Sequence, residues 1–150
     1  MKTILWSLLL FSLSSFSGCN RQEASMVQPT DLSNVIGKWK LSSPKTDFTI
    51  TLDITKKSTE ANATTYQLSG LSPVNQYGAE ATIQASGALS IGNIIATERG
   101  GAPEAMNTET AYFNSLQKAL KVEIIGQRLK ITSASDTQLS IWDGLIFDKQ

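Results

Sequence analysis

Apolar and polar side chains alternate without interruption from residue 48 to residue 54. Phenylalanine, isoleucine or leucine occupies every even position, and threonine or aspartate occupies every odd one. Because successive side chains of a β-strand point to opposite faces, this period of two predicts a strand with one buried face and one solvent-exposed face. Strands of this kind are typical of antiparallel sheets that cover a core on one side only.

Several shorter stretches have the same strand character, and turn signals separate them. The composition agrees, because only 17% of the residues are charged and threonine, which favours strands, is abundant. Further strands are predicted around Trp39 and Leu41, at Tyr66 and Leu68, and over residues 79–85, 88–96, 122–125, 129–133, 138–142 and 145–147. The polar residues 56–64 are predicted to form a hairpin loop, and turns are predicted at Ser86-Gly87, Gly126-Gln127 and Asp143-Gly144.

Residues 103–120 follow a helical period instead. Met106, Phe113, Leu116 and Leu120 are spaced by seven, three and four positions, as on one face of a helix. We expect this apolar stripe to pack on the sheet rather than to bind a partner. The predicted fold class is therefore α+β and mostly β: a curled antiparallel sheet or open barrel with one α-helix packed on it.

The first residues of the chain have the layout of a secretory signal. Lys2 supplies a positive charge, residues 4–16 are largely apolar, and Ser17-Gly18-Cys19 follows. The apolar run is shorter than the roughly 20 residues of a transmembrane helix. Its end resembles a bacterial lipobox, in which the cysteine is acylated and the signal is cut just before it. We therefore predict a lipoprotein signal peptide at 1–18 and lipidation of Cys19, with an ordinary secreted protein as the alternative.

The rest of the chain divides into a tether and one domain. Residues 19–33 are polar, contain Pro29 and have no sustained period, which predicts a flexible tether after the acylated cysteine. Residues 34–150 are predicted to form a single, monomeric domain. Asn20 stands in place of the aspartate that often signals inner-membrane retention. We therefore expect an envelope protein anchored by acyl chains, in the outer rather than the inner membrane, with its domain in the periplasm or at the surface.

Two residue counts exclude several functions. The chain has no histidine and one cysteine, so a Ser/His/Asp triad, a Cys/His dyad and a zinc site of the usual composition cannot be built. The 13 basic and 13 acidic residues give a formal net charge of +0, so no basic field would attract nucleic acid. We accordingly expect no cofactor, no metal and no nucleic-acid partner.

The order and spacing of several stretches resemble the META domain of HslJ-like envelope lipoproteins. Residues 36–41, which read IGKWKL, are similar to the opening strand of that family, and residues 70–77, GLSPVNQY, to its asparagine loop. Thr97, followed by residues 105–116, is similar to the family's threonine and helix. The resemblance covers residues 33–147. It implies a non-enzymatic protein with a role in envelope stress or antibiotic tolerance and no established chemistry.

The sequence departs from this family where many members have two cysteines. Val74 stands in the asparagine loop, and Gly101 stands after the threonine, at the positions where those members have cysteine. Because both cysteines are absent together, the resemblance implies that the two positions lie close to one another.

Asn75, Thr97 and Glu109 are candidates for a structural or ligand-binding polar cluster. Asn75 follows Pro73-Val74 in a predicted turn, where asparagine commonly closes the loop by bonding nearby backbone. Glu109 shares the apolar face of the predicted helix, and a carboxylate that faces a core is costly unless it is paired or hydrogen-bonded. It is expected to accept from loop amides or to pair with Arg99, and so to act as a strut. A pocket bordered by the three candidates would instead indicate a polar ligand.

Three functions remain open at this point. The first is a non-enzymatic binding module held at the membrane, whose partner is an unknown envelope protein or small ligand. The second is an accessory or inhibitor-like protein that binds another envelope protein through a sheet edge. The third is a hydrolase built on carboxylates. A pocket at Glu109 would favour the binding module, and a long exposed edge strand would favour the accessory protein. Two acids that converge in a cleft would favour the hydrolase.

Overall fold

A computed structural model gives the structure of the chain and describes residues 31–61, 63–134 and 140–150. Within these ranges the chain forms nine strands and one helix. The strands are β1 (Gly37–Ser43), β2 (Thr51–Thr59), β3 (Ala63–Leu71), β4 (Gln76–Gln84), β5 (Leu89–Ile91), β6 (Ile95–Ala96), β7 (Ala119–Ile125), β8 (Arg128–Ser133) and β9 (Gly144–Lys149). The helix, α1 (Pro103–Gln117), lies between β6 and β7. Within the described ranges, no helix has the length and hydropathy that a membrane span requires.

The strands form one antiparallel sheet that curls until its two ends almost meet. The strand order is β5-β4-β3-β2-β1-β9-β8-β7, and β6 also pairs with β4. At the ends of this order, Ala88 forms a bridge with Lys121. Val122 N donates to Gly87 O over 2.9 Å. The sheet is therefore a nearly closed barrel.

Helix α1 packs against the barrel and is tied to it on more than one strand. Tyr112 and Leu116 of the helix are completely buried. The Tyr112 ring meets the Tyr77 ring of β4 edge to face, with 5.6 Å between the centroids. Gln117 Nε2 donates to Ile91 O of β5 over 3.1 Å. The predicted fold class, a curled antiparallel sheet or open barrel with one helix packed on it, is confirmed.

The alternating run supplies part of the core, as its period predicts. Ile50, Leu52 and Ile54 are each at most 2% exposed, and Trp39 of β1 lies opposite Leu52 in the register. Burying an aliphatic side chain of this size stabilises the fold by roughly 1.5–3 kcal/mol. The indole Nε1 of Trp39 donates to Val35 O over 3.0 Å, so the polar atom of this buried ring is also satisfied.

The hairpin predicted over residues 56–64 is present between β2 and β3, but its loop is much shorter than predicted. Strand β2 continues to Thr59 and β3 begins at Ala63, with a register irregularity between Lys56 and Ser58. Both faces of β2 are exposed from residue 55 onward. Polar side chains are therefore compatible with a strand here, and their polarity did not mark a loop.

Two other predicted strands also differ from the structure. The stretch 88–96 forms two short strands, β5 and β6, rather than one. Residues 140–142 lie in a turn, in which Asp143 N donates to Ser140 O over 3.1 Å, and Gln138 lies outside the described residues. Because β9 pairs with β8 and β1, Asp143-Gly144 ends the connection from β8 to β9 and is not the hairpin turn that was predicted.

The turns predicted at Ser86-Gly87 and Gly126-Gln127 are confirmed. Gly87 has a φ of 83° and Gly126 a φ of 63°. This left-handed region is accessible to glycine without the steric penalty that a Cβ brings. Both glycines therefore allow the chain to reverse tightly between paired segments.

The helix is shorter than predicted, and its buried face is displaced from the predicted stripe. Leu120 belongs to β7 and is 59% exposed. Met106 and Phe113 are half-buried, and only Leu116 of the predicted stripe is fully buried. The buried residues of the helix are Ala105, Glu109, Tyr112, Ser115 and Leu116. These also have helical spacing, so the period identified the helix but not which of two neighbouring faces meets the sheet.

Candidate functional site

The turn between β3 and β4 carries Asn75, and helix α1 directs Glu109 toward it. Ser72 N donates to Asn75 O over 2.8 Å and so closes the turn. The Ser72 hydroxyl reinforces the turn, since it accepts from Asn75 N over 3.1 Å. Glu109 lies on the buried face of α1, between Ala105 and Tyr112. The turn and the helix therefore meet at this carboxylate.

The Glu109 carboxylate is held by hydrogen bonds from the whole turn. The residue is 5% exposed. Its Oε2 atom accepts from the backbone N–H groups of Val74 over 3.1 Å and Asn75 over 2.9 Å, and from the Ser72 hydroxyl. Its Oε1 atom accepts from Asn75 Nδ2 over 2.7 Å. These donors compensate for the loss of water around a buried charge.

The Asn75 side chain joins the turn to the segment that follows β6. Its Oδ1 atom accepts from Thr97 Oγ1 and from Arg99 N, each over 2.8 Å. Its Nδ2 group donates to Glu109 and also to Arg99 O over 3.4 Å. Thr97 Oγ1 accepts in turn from Gln76 N over 3.2 Å. The structure thus brings Asn75, Thr97 and Glu109 together, and with Ser72 they form what we call the Glu109 cluster.

The surroundings of Glu109 favour its ionised form. Burial by itself raises the pKa of this carboxyl, but the hydrogen bonds from Ser72, Asn75 and Val74 together outweigh burial and hold the pKa below its ordinary value. No ion pair joins Glu109 to Arg99 in the described structure, and Arg99 takes part through its backbone. Of the two expected ways to satisfy this carboxylate, the structure has the loop amides and not the arginine.

The geometry of the Glu109 cluster is that of a strut. In the part of the chain that the structure describes, no buried side-chain nitrogen or oxygen lacks a hydrogen-bond partner. The partners of Glu109 include no second carboxylate, and no described group of three His, Cys, Asp or Glu residues could hold a metal ion. The side chain of Asn75 does not bond the backbone of its own turn, as was expected, but bonds Thr97, Arg99 and Glu109. Ligand binding by the cluster stays a prediction.

A pair of buried tyrosines beside the cluster was not predicted. Tyr77 OH donates to Thr51 O over 2.9 Å. The Tyr112 hydroxyl lies 2.6 Å from Tyr77 OH, and since Tyr77 has already given its one proton to a carbonyl, Tyr112 is the donor between the two. Burial raises the pKa of both phenols, so both are neutral. The pair fixes helix α1 to strands β4 and β2.

The role of Ser72 was also missed, although a signal for it exists. Ser72 stands three residues before Asn75 in the same predicted turn, and serine hydroxyls in turns commonly bond the neighbouring backbone. Sequence spacing identified the turn but gave no reason to expect that a carboxylate 37 positions later would share this hydroxyl.

Val74 and Gly101 are neighbours in the structure. A Cβ placed on Gly101 would lie 2.7 Å from Val74 Cγ2 and 3.5 Å from Val74 Cβ. The distance between the two Cβ atoms falls at the lower end of the range for disulfides, about 3.5–4.5 Å. The closeness implied by the family resemblance is therefore present, although this chain has no sulfur at either position.

This closeness can be tested by a designed crosslink. In the Cys19→Ser chain, Val74→Cys together with Gly101→Cys is expected to form a disulfide on mild oxidation. The closed loop should raise the free energy of unfolding by about 3 kcal/mol, and a reductant should remove the gain. Thiol titration and urea unfolding with and without reductant measure both effects.

The matched control for the crosslink is Val74→Cys with Gly100→Cys. A Cβ on Gly100 would have no atom within 4 Å, so this pair should remain reduced. The placement of the two loops is wrong if the first pair stays reduced, or if both pairs oxidise to the same extent.

The predicted anchor precedes the described part of the chain. Cys19 lies outside the described residues, as do the signal peptide at 1–18 and the tether 19–33 up to residue 30. At Asp31, the first described residue, Oδ1 accepts from Ser33 N over 3.0 Å. Leu32, within the predicted tether, is partly buried against the core, and its carbonyl oxygen accepts from the N–H of the fully buried Val35 over 3.1 Å.

One comparison with known proteins gave a match. A family model described as "META domain" matches residues 31–143. That range includes the turn, the segment after β6 and the helix that together hold the Glu109 cluster. No curated protein and no solved structure matches the chain.

Proposed function

Because the chain belongs to the META domain family, we propose that it is a non-enzymatic, lipid-anchored protein of the bacterial cell envelope. Its domain serves as a binding module for an envelope protein or a small ligand. The role in envelope stress or antibiotic tolerance that the family resemblance implies is part of this proposal.

The observation that carries the anchor is the position of the single cysteine. Cys19 directly follows an apolar run and the two small residues Ser17 and Gly18. This is where a bacterial lipoprotein signal is cut and its cysteine acylated. Since one acyl chain gives only marginal membrane binding, stable anchoring at this residue requires more than one chain. Asn20 after the cysteine favours the outer over the inner membrane.

The hydrogen bonds that already occupy the Glu109 carboxylate support a non-enzymatic role. A catalytic acid or base must reach the substrate proton directly or through one water. Both oxygens of Glu109 already accept from protein donors, and the side chain is 5% exposed. The carboxylate-based hydrolase is therefore the least supported of the three functions.

Binding of another protein through a sheet edge has less support than binding through the barrel surface. Strand β5 has 3 residues and β6 has 2, and the far end of the sheet, β7, is bridged to residue 88. A strand that adds to a sheet needs a row of unpaired backbone groups. One edge is made of the short β5 and β6, and β7 at the other edge is covered at Lys121 and Val122, so neither edge offers a long uninterrupted row of such groups.

The anchor is tested by Cys19→Ser. This change removes the only thiol that acylation could use, so we expect the protein to leave the membrane fraction and to lose its partition into a detergent phase. Ser15→Ala, a substitution in the same predicted signal that leaves Cys19 in place, is the matched control and should stay with the membrane. Mass spectrometry of the N-terminal peptide should show acyl chains on Cys19 in the control alone.

Sedimentation of Cys19→Ser with the membranes would overturn the anchor. Density-gradient separation of the two membranes tests the location independently, and the proposal expects the unaltered protein in the outer-membrane fraction.

A further inference from the structure

The outer face of the barrel carries a continuous row of residues across five strands. The register pairs Lys38 with Asp53, Asp53 with Ser69, and Ser69 with Gly78. Gly78 pairs in turn with Ile95 of β6. We call these five residues the outer row. With neighbouring strands about 4.8 Å apart, it is about 19 Å long.

Two adjoining depressions accompany the outer row. The first has a volume of about 410 Å³ and is lined by Lys38, Asp53 and Ser69. The second has a volume of about 420 Å³ and is lined by Gly78 and Ile95. They adjoin because Ser69 and Gly78 are cross-strand partners. Both depressions are open to solvent rather than enclosed, so they could take an extended ligand that lies along the surface.

The polar side chains of the outer row differ from those of the Glu109 cluster. Those of the cluster bond to each other or to backbone. In the described structure the side chains of Lys38, Asp53 and Ser69 form no hydrogen bond or ion pair with the protein. A ligand could bond to them without breaking an internal bond, and the paired strands fix the backbone that carries them.

Gly78 leaves the middle of the row open without being required by packing. A Cβ there would meet only Leu68 O at 3.6 Å and Gln67 Nε2 at 3.7 Å, which are ordinary contacts. A glycine within a strand often marks a place where a ligand or another backbone approaches closely. Because a side chain would fit here without strain, the open backbone at Gly78 is available for such an approach.

We propose that the outer row binds a short extended peptide. An ammonium terminus pairs with Asp53 or a carboxylate terminus with Lys38, the peptide backbone crosses Gly78, and an apolar side chain packs on Ile95, which is 76% exposed. The row length of about 19 Å corresponds to about six extended residues. This inference rests on the proposed function in taking the domain to be a binding module.

The aromatic residues of this region favour a peptide over a saccharide. Sugars are commonly bound by stacking on exposed aromatic rings, and Trp39 and Tyr77, the rings nearest the row, are at most 5% exposed. They belong to the buried face of the sheet. The outer row instead offers two opposite charges at one end and an aliphatic side chain at the other.

The test is a titration of the Cys19→Ser chain with a hexapeptide that has leucine at both ends and alanine between. Either orientation places a charged terminus at Lys38 and Asp53 and a leucine at Ile95. We expect saturable shifts of backbone NMR signals in β1 to β4 and β6. Capping both ends, with acetyl and amide groups, should weaken binding about tenfold, since the two caps together remove the charge-assisted hydrogen bond that either orientation makes.

Gly78→Val should abolish binding while the melting temperature stays near that of the parent, because the added side chain blocks the row and its Cβ makes only ordinary contacts. Lys38→Met combined with Asp53→Asn should remove the preference for free over capped peptide. The matched control is Lys130→Met. Lys130 lies on β8, which contributes no residue to the outer row, so this variant should bind as the parent does.

Three results would overturn the proposal: no saturable shift at millimolar peptide, unchanged binding by a folded Gly78→Val protein, or tighter binding of an uncharged hexasaccharide. None of these bears on the anchor, which the membrane fractionation of Cys19→Ser decides separately. The two proposals can therefore fail independently.

Discussion

Gly70→Ala is expected to lower the free energy of unfolding by about 4 kcal/mol or more, among the largest effects of a single substitution. A Cβ on Gly70 would lie 2.0 Å from Thr51 O and 2.8 Å from Thr51 C. These are backbone atoms of a neighbouring strand, so no side-chain rotation can relieve the clash. Strands β2 and β3 would have to separate, and Thr51 O, which accepts from Tyr77 OH, would move with them.

Urea unfolding followed by far-UV circular dichroism measures this effect, with Gly100→Ala as the control. A Cβ on Gly100 would have no atom within 4 Å. The control should be as stable as the parent or slightly more stable, because alanine restricts the unfolded chain. A Gly70→Ala protein that unfolds at the same urea concentration as the control would show that the close approach of β2 and β3 is wrong.

Glu109→Gln is expected to lower the free energy of unfolding by about 2–3 kcal/mol at neutral pH. An amide keeps one acceptor oxygen but puts an NH₂ group where the other oxygen accepts from a donor. Asn75 cannot compensate by turning its own amide, because its Oδ1 atom already accepts from Thr97 and Arg99. The substitution therefore leaves donors facing donors in a buried place, although it barely changes the volume of the side chain.

The effect of Glu109→Gln should depend on pH in one direction. Because hydrogen bonds hold the pKa of Glu109 below its ordinary value, its ionised form adds stability that is fully present above about pH 4.3 and is lost as the pH falls through the lower pKa of the folded protein. The stability difference between the parent and the variant should be constant near neutrality and shrink in acid. Glu123, whose pKa is also lowered, is common to both proteins and cancels from the difference.

Urea titrations of both proteins between neutral pH and about pH 3 provide this measurement. Glu98→Gln is the matched control, since Glu98 is exposed and near the cluster. Its effect should stay within about 0.5 kcal/mol at every pH. A Glu109→Gln effect as small as that of the control, or one that grows in acid, would contradict the strut.

Most elements of the fold follow from local patterns, and the errors have local reasons too. The period of two around Leu52 and the helical period before Leu116 identify their elements, because side-chain direction repeats along the backbone in both. The hairpin loop predicted over 56–64 was too long because a strand with two solvent-exposed faces has no apolar signal. The buried face of the helix was mispredicted because neighbouring faces of α1 have the same residue spacing. Only the packing against the barrel determines which of them is buried.

The candidate cluster could be predicted in part. Glu109 was expected to need partners because a carboxylate on an apolar helix face is costly, and the structure supplies them. Which partners it has could not be read from the chain. Asn75 and Glu109 are 34 positions apart, and their meeting depends on how the helix packs across the β3–β4 turn. The contributions of Ser72 and of the Tyr77–Tyr112 pair depend on the same packing.

For the described residues, local sequence patterns correctly predicted the β-rich class, one helix, and the turns at Gly87 and Gly126. Local residue order is also the basis of the prediction that Cys19 is a lipid attachment site. Each of these follows from backbone geometry or from residue order within a few positions. Only the folded structure shows the strand order, the near closure of the barrel, the hydrogen bonds of Glu109 and the alignment of Lys38 with Ile95 across five strands. Those depend on register and packing between distant segments, which local periods do not specify.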